Sequence, residues 1–170
     1  MTPGTFRRLM NFWPPFLFNS IAVTDISDDW SEVRVRLRLR PWNRNFVRTQ
    51  FGGNLFAMAD PFFMLMGMHR LGDDYYVWDK AGEIEFIAPG KEDVYAHFVM
   101  SDEAVDALRA EAASGAKVLH WFEVDITTAQ GDLVAKVRKQ LYVRQKPRAR
   151  SATSAQAGSV AQTELQTGSE

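Results

Sequence analysis

Cysteine is absent from all 170 residues. Its absence excludes disulfides, cysteine-ligated zinc and a thiol nucleophile. It also fits a reducing compartment, so a cytoplasmic protein is expected. Only three histidines occur, and they are too scattered for metal-ligand spacing. No metal and no redox cofactor is expected. Charge of either sign is not in excess: the formal net charge is −1, which gives no general pull toward nucleic acid or anionic lipid. No apolar run reaches membrane-spanning length without a charge, proline or glycine. Phe6–Val23 places Arg7 and Arg8 ahead of apolar residues, as a signal peptide does. Pro14-Pro15 interrupts it, and no small-residue cleavage site follows.

What is present is organised around Asn45–Met68. Gly52-Gly53 opens an almost unbroken apolar run, too long for a strand and long enough for a buried helix from about Gly53 to Arg70. Glycines ahead of a helix leave backbone N–H groups bare. One carboxylate, Asp60, sits inside the run, where it is costly unless paired or solvated at a site. Together these features suit carbonyl-binding donors beside an acid or base.

The flanking segments read as strands. Val33–Arg40 alternates strictly between apolar residues and arginine, with Ile21–Asp25 as a short strand before it. Tyr75–Ile87 is a long strand, bulged at Gly82, and it leaves Lys80 on a mostly apolar face with Trp78, Ile84 and Phe86. Val94–Met100 follows, then a helix capped by Ser101, then a hairpin of Lys117–Thr128 with Leu133–Arg144. The order lacks regular βαβ alternation and predicts an α+β fold, a six-stranded antiparallel sheet around a long central helix. Residues 1–20 form a helical segment kinked near Pro14-Pro15, residues 21–146 the main domain, and residues 147–170 a polar tail expected to be disordered.

The strand order and the central motif resemble the hotdog-fold acyl-CoA thioesterase-like superfamily, in its phenylacetate-pathway-type branch and an uncharacterised tetrameric thioesterase-like subfamily. The resemblance rests on Asn45, Phe51-Gly52-Gly53 and Ala59-Asp60, at the family's spacing. It implies acyl-thioester hydrolysis in a homodimer or homotetramer, with acyl-CoA as the small-molecule substrate and no nucleic acid or membrane partner. By that resemblance Asp60 is base or nucleophile, Gly53 offers its N–H to the thioester carbonyl, and Asn45 places substrate or water. Phe51, Gly52, Asn54 and Lys80 become candidate substrate-binding residues, and arginines between Arg34 and Arg48 could meet the CoA phosphates. The departure is Phe51, where the family usually has histidine, because phenylalanine cannot hydrogen-bond a carbonyl.

Each of these residues also has a plainer reading. Asp60-Pro61 is a good helix cap and first helical residue, so Asp60 is either a cap or a site carboxylate. Lys80 is either a charge partner for Asp60 across the subunit interface, a thioester-side donor, or a solvated lysine that snorkels from its strand. Lys139, between Val137 and Leu141, is explained by a β-bulge, and His120 by a satisfied place in the core. The rival to hydrolysis is a non-catalytic hotdog module that binds acyl chains or builds an oligomer. A hydroxyacyl dehydratase ranks behind both, because it normally needs a histidine in the Asn45–Pro61 motif.

Overall fold

Alternation in the arginine strand divides its side chains by face: Val33, Val35 and Leu37 are buried, while Arg34 and Arg36 point away from the core. In the computed structural model, which describes residues 1–147, this strand lies inside a single sheet. The strands are β1 (Ile21–Ile26), β2 (Glu32–Leu37), β3 (Tyr75–Phe86), β4 (Val94–Val99), β5 (Val118–Thr127) and β6 (Leu133–Gln145). Their order is β1-β2-β4-β5-β6-β3, and every neighbouring pair is antiparallel. The α+β architecture expected from the sequence is the one observed. β2 stops at Leu37 and not at Arg40, because Leu39 N–H leaves the ladder for the Asp93 carboxylate at 2.8 Å.

Five helices accompany the sheet: α1 (Pro3–Phe12), α2 (Pro14–Asn19), α3 (Gly52–Ala57), α4 (Phe62–Leu71) and α5 (Asp102–Ala112). The single helix expected over Gly53–Arg70 is corrected to two, α3 and α4. Pro61 has no N–H to continue the ladder, and its ring crowds the preceding turn. The chain tightens there: Ala59 N–H bonds Phe56 O at 3.0 Å, and α4 begins afresh with Leu65 N–H on Pro61 O at 3.1 Å.

α4 fills the concave face of the sheet. Phe62, Phe63 and Met66 are fully buried, and the two rings pack on Phe98 at 5.0 and 5.2 Å. Each such side chain contributes about 1.5–3 kcal/mol by leaving water. Gly67 allows close approach of α4 to β3, since a Cβ there would lie 3.3 Å from Val77 Cγ1.

The two edges of the sheet are treated differently. α1 lies along β1, where Asn11 accepts from Val23 N–H at 2.7 Å and donates to Val23 O at 3.0 Å. One side-chain amide thus caps the β1 edge as a further strand would. Along the free edge of β3, no strand pairs among the described residues.

Among the described residues no helix is long and apolar enough to cross a membrane. The tail expected from residue 147 onward lies, beyond Pro147, outside the described residues.

Candidate active site

A one-residue bulge in β3 decides which side chains meet under the sheet. Asp79 pairs with Leu141 and Ala81 with Gln140, so Lys80 is the extra residue. The expected bulge at Gly82 is two residues away from the real one. The register change turns Val77 and Asp79 inward on one side of Lys80, and Gly82, Ile84 and Phe86 inward on the other. Trp78 goes to the outer face, where it stacks on Tyr142 at 4.0 Å.

Opposite Gly82 stands Lys139 of β6, also inward and 3% exposed. Its Nζ lies 2.6 Å from Asp60 Oδ1 and 3.2 Å from Asp79 Oδ2, and 5.4 Å from the centre of the Phe56 ring. Gly82 makes this possible: a Cβ there would come within 2.7 Å of Phe56 Cζ and 3.3 Å of Lys139 Cδ. A buried ammonium is tolerable only with charge partners, and two carboxylates supply them. Burial pushes the Asp79 carboxyl above its ordinary value; Lys139 pulls it back, and the charge on Asp60 adds to the rise. Asp79 Oδ1 is buried without a partner among the described residues. The Asp60 side chain stays 54% exposed.

Within the chain the cation that meets Asp60 is therefore Lys139, and Lys80 is an exposed bulge residue. No bulge lies in β6 at Lys139, which faces inward in regular register. The cap reading of Asp60 is settled as well. α4 starts from Pro61 with no side-chain cap, and the Asp60 carboxylate accepts from Lys139 instead.

The glycine pair opens α3. Asn54 and Leu55 donate to Phe51 O at 2.9 and 3.1 Å, while the N–H groups of Gly52 and Gly53 have no acceptor among the described residues. Both glycines make room for phenylalanine rings. A Cβ on Gly52 would come 2.8 Å from Phe86, and one on Gly53 would come 2.5 Å from Phe51. Phe51 is half exposed and rests over Gly53.

Gly53, Phe56, Asp60 and Pro61 line one cavity of about 350 Å³ with Trp13 and Phe16 of the N-terminal segment. Asn45 is not part of it. It lines a second cavity, of about 460 Å³, with Gly52, Phe86 and Gly90. Its amide shapes the loop ahead of α3, donating to Thr49 Oγ1 at 2.8 Å and accepting from Thr49 N–H at 2.9 Å. Asn54 is a tether within the chain. It is 6% exposed, and its Nδ2 is committed to Asn43 O at 3.0 Å. Arg34 pairs with Glu32 and Arg36 with Asp93, which leaves Arg38, Arg40, Arg44 and Arg48 without an ion pair among the described residues. His120 is half-buried, its ring 4.6 Å from that of Phe122.

Sequence reasoning missed Lys139 and Asp79 as site residues. The signal for Lys139 was present: a lysine in phase with Val137, Leu141 and Val143 along a strand. Asp79 gave none, because its inward turn depends on a bulge that no glycine marks.

No curated protein matches the chain. Solved structures do. A protein from Pseudomonas aeruginosa, described as a probable thioesterase of unknown function, matches with a TM-score of 0.72 and 22% identity over 86% of this chain and 97% of that one. A thioesterase from Haemophilus influenzae matches with a TM-score of 0.62 and 14% identity over 85% and 92%. A protein of unknown function from Chlorobaculum tepidum matches with a TM-score of 0.66 and 15% identity over 85% and 98%. At these identities the likeness is one of fold alone, the hotdog-like architecture of a six-stranded antiparallel sheet with helices. The sequence itself matches one family model over residues 4–143, so the chain belongs to the family described as Domain of unknown function (DUF4442).

Proposed function

We propose that the protein hydrolyses acyl thioesters and that its substrate is an acyl-CoA. One observation carries the reading: a half-exposed carboxylate, Asp60, shares a cavity wall with the opening of α3 and is held by a buried lysine 2.6 Å away. A carboxylate at a helix break, neither capping nor buried, is free to take a proton from water. Lys139 keeps it aimed, since the lysine comes from the rigid sheet and not from a loop.

In this scheme the thioester carbonyl lies between Asp60 and the first amides of α3. Water attacks the carbonyl carbon as Asp60 takes its proton, and the N–H of Gly53 stabilises the oxyanion that forms. The C–S bond then breaks, and the thiolate recovers the proton from Asp60. Direct attack by Asp60 gives an anhydride that water opens, with the same products. Asn45 acts through the loop that sets Gly52 and Gly53. Arg38, Arg40, Arg44 and Arg48, which have no ion pair among the described residues, are the candidate cations for the CoA phosphates. No metal or redox cofactor enters the scheme, and a cytoplasmic setting suits the substrate.

The β3 edge supports assembly as a homodimer, with a homotetramer as the larger alternative. One edge of the sheet is closed by Asn11, while at the other the outer edge of the twelve-residue β3 has no strand paired to it among the described residues.

A second reading, acyl binding without hydrolysis, is favoured by Phe51. Its ring rests over Gly53, where the resemblance calls for a histidine donor. Thiol release from short, medium, long and aromatic acyl-CoAs decides between them. Hydrolysis by the wild type should fall at least about 10²-fold in Asp60→Asn, the low end for loss of a general base. Binding without thiol release, or equal rates in the variant, would move the assignment to the binding module.

A further inference from the structure

The cavity beside Asp60 borders a second one. Trp13 and Pro61 also line a groove of about 520 Å³ between the N-terminal helices and α4. Its walls are Phe6, Leu9, Met10 and Phe12 on α1, and Met64 and Leu65 on α4. No residue lining it is charged. The two arginines of α1 are committed elsewhere: Arg7 donates to Thr24 O at 2.7 Å, and Arg8 to Gly4 O at 3.3 Å. Leu9 is 56% exposed and Phe12 75% exposed, an apolar rim that core packing does not explain.

We propose that this groove holds the alkyl chain of the substrate, so that the protein prefers medium to long linear acyl groups over short ones. The inference rests on the thioesterase reading for the position of the thioester, which would lie between Gly53 and Asp60. From there the chain passes Trp13 and Pro61, the two residues that both cavities share, and runs along α1 toward Phe6. Phe6 closes that end, packed edge-on to Trp30 at 5.1 Å. The volume falls within the range of about 300–1,000 Å³ typical of small-ligand sites. Nine lining residues make too small a surface for a stable protein interface, which takes roughly 20–30 residues a side. No free cation sits among the lining residues to hold a lipid headgroup.

The test is binding of non-hydrolysable S-alkyl-CoA thioethers, ethyl, hexyl and decyl, to the full chain by calorimetry. The expected Kd falls about fourfold per added methylene until the groove is full. Leu9→Asp places a charge on the groove wall from a position already half exposed to water. It should bring the ethyl-to-decyl ratio of Kd at least tenfold closer to one. Leu9→Trp keeps the wall apolar but fills it, and should shift the tightest ligand to a shorter chain. Melting curves of both variants check that they fold.

A Kd independent of chain length in the wild type overturns the groove, and so does a wild-type ratio retained by both variants. Dissociation of an oligomer by Leu9→Asp, seen by sedimentation, would also overturn it and give the groove to a second copy. Because binding needs no turnover, the two readings separate. Length-dependent binding without thiol release from decanoyl-CoA keeps the groove and rejects hydrolysis. Thiol release with no length dependence rejects the groove and keeps hydrolysis.

Discussion

Lys139 in the middle of β6 reaches Asp60 at the break between α3 and α4, Nζ to Oδ1 2.6 Å, across 79 positions of sequence. The lysine is 3% exposed and the carboxylate 54%. The contact therefore ties a rigid, buried cation to an anion that water can reach. The buried end fixes geometry, and the open end is available for chemistry.

Removing the cation should cost stability in a pH-dependent way. Lys139→Met leaves Asp60 and Asp79 facing each other, and Asp79 without its partner. The expected loss is about 2–4 kcal/mol at pH 7, below the roughly 3–5 of a fully buried pair because Asp60 keeps its water. Asp79 already has a raised folded-state value, set first by burial, and Lys139 holds it down. A raised carboxyl favours the folded state below its ordinary value and loses that advantage as pH rises through the folded value. The deficit of Lys139→Met should thus be largest near neutrality and shrink in acid. Denaturant melts at pH 7 and pH 4 test this. Lys80→Met, at an exposed bulge, should change stability by no more than about 0.5 kcal/mol.

Gly82→Ala should disturb the same site from below. The new Cβ would stand 2.7 Å from Phe56 Cζ and 3.3 Å from Lys139 Cδ. Both side chains must move, at a cost of about 1–3 kcal/mol for overpacking. Thioester hydrolysis should drop with it, because the displaced lysine no longer aims Asp60. Equal kcat in the variant and wild type would show that Lys139 has no positioning role.

The loop that leads to α3 predicts a different acid response. Asp93 accepts from Arg36 Nε at 2.9 Å and from Leu39 N–H at 2.8 Å. Burial alone would raise its carboxyl, but the Leu39 N–H and the Arg36 guanidinium together hold it below the ordinary 3.8. A depressed carboxyl stabilises fully above 3.8, and that stabilisation is lost as pH falls through the folded value. Asp93→Asn should cost about 1.5–3 kcal/mol at pH 7, the range for a hydrogen bond to a charged group. The gap in melting temperature from wild type should narrow below pH 3.8. A gap unchanged between pH 7 and pH 3 would contradict the argument.

Phe51→His tests what the family departure means. Phe51 is half exposed and lies over Gly53, so an imidazole can take its place without burying a charge. A nitrogen donor beside the α3 amides should raise kcat about tenfold, less than the ~10²–10³ of a fully preorganised oxyanion donor. A slower Phe51→His enzyme would mean that the ring itself organises the site.

Local pattern settled much of this protein. The period-2 run at Val33–Leu37 became a strand with the expected faces, because alternate side chains must go to opposite sides of a pleated chain. Ser101 caps α5 as its position suggests, accepting from Ala104 N–H at 3.2 Å, since a cap needs only residues three apart. The Asn45, Gly52-Gly53 and Asp60 spacing pointed to the stretch that the site is built on. The partners of that stretch were decided elsewhere. Pro61 divides the helix, and whether Asp60 then caps α4 or turns to the sheet depends on a cation 79 residues away. Lys80 and Asp79 exchanged roles because one extra residue in β3 inverts the faces of all that follow, and the register of an antiparallel pair belongs to both strands. A charge pair joined across a sheet and a helix break leaves no mark in either segment alone; only the packing of α4 and Gly82 against β6 brings Lys139 to Asp60.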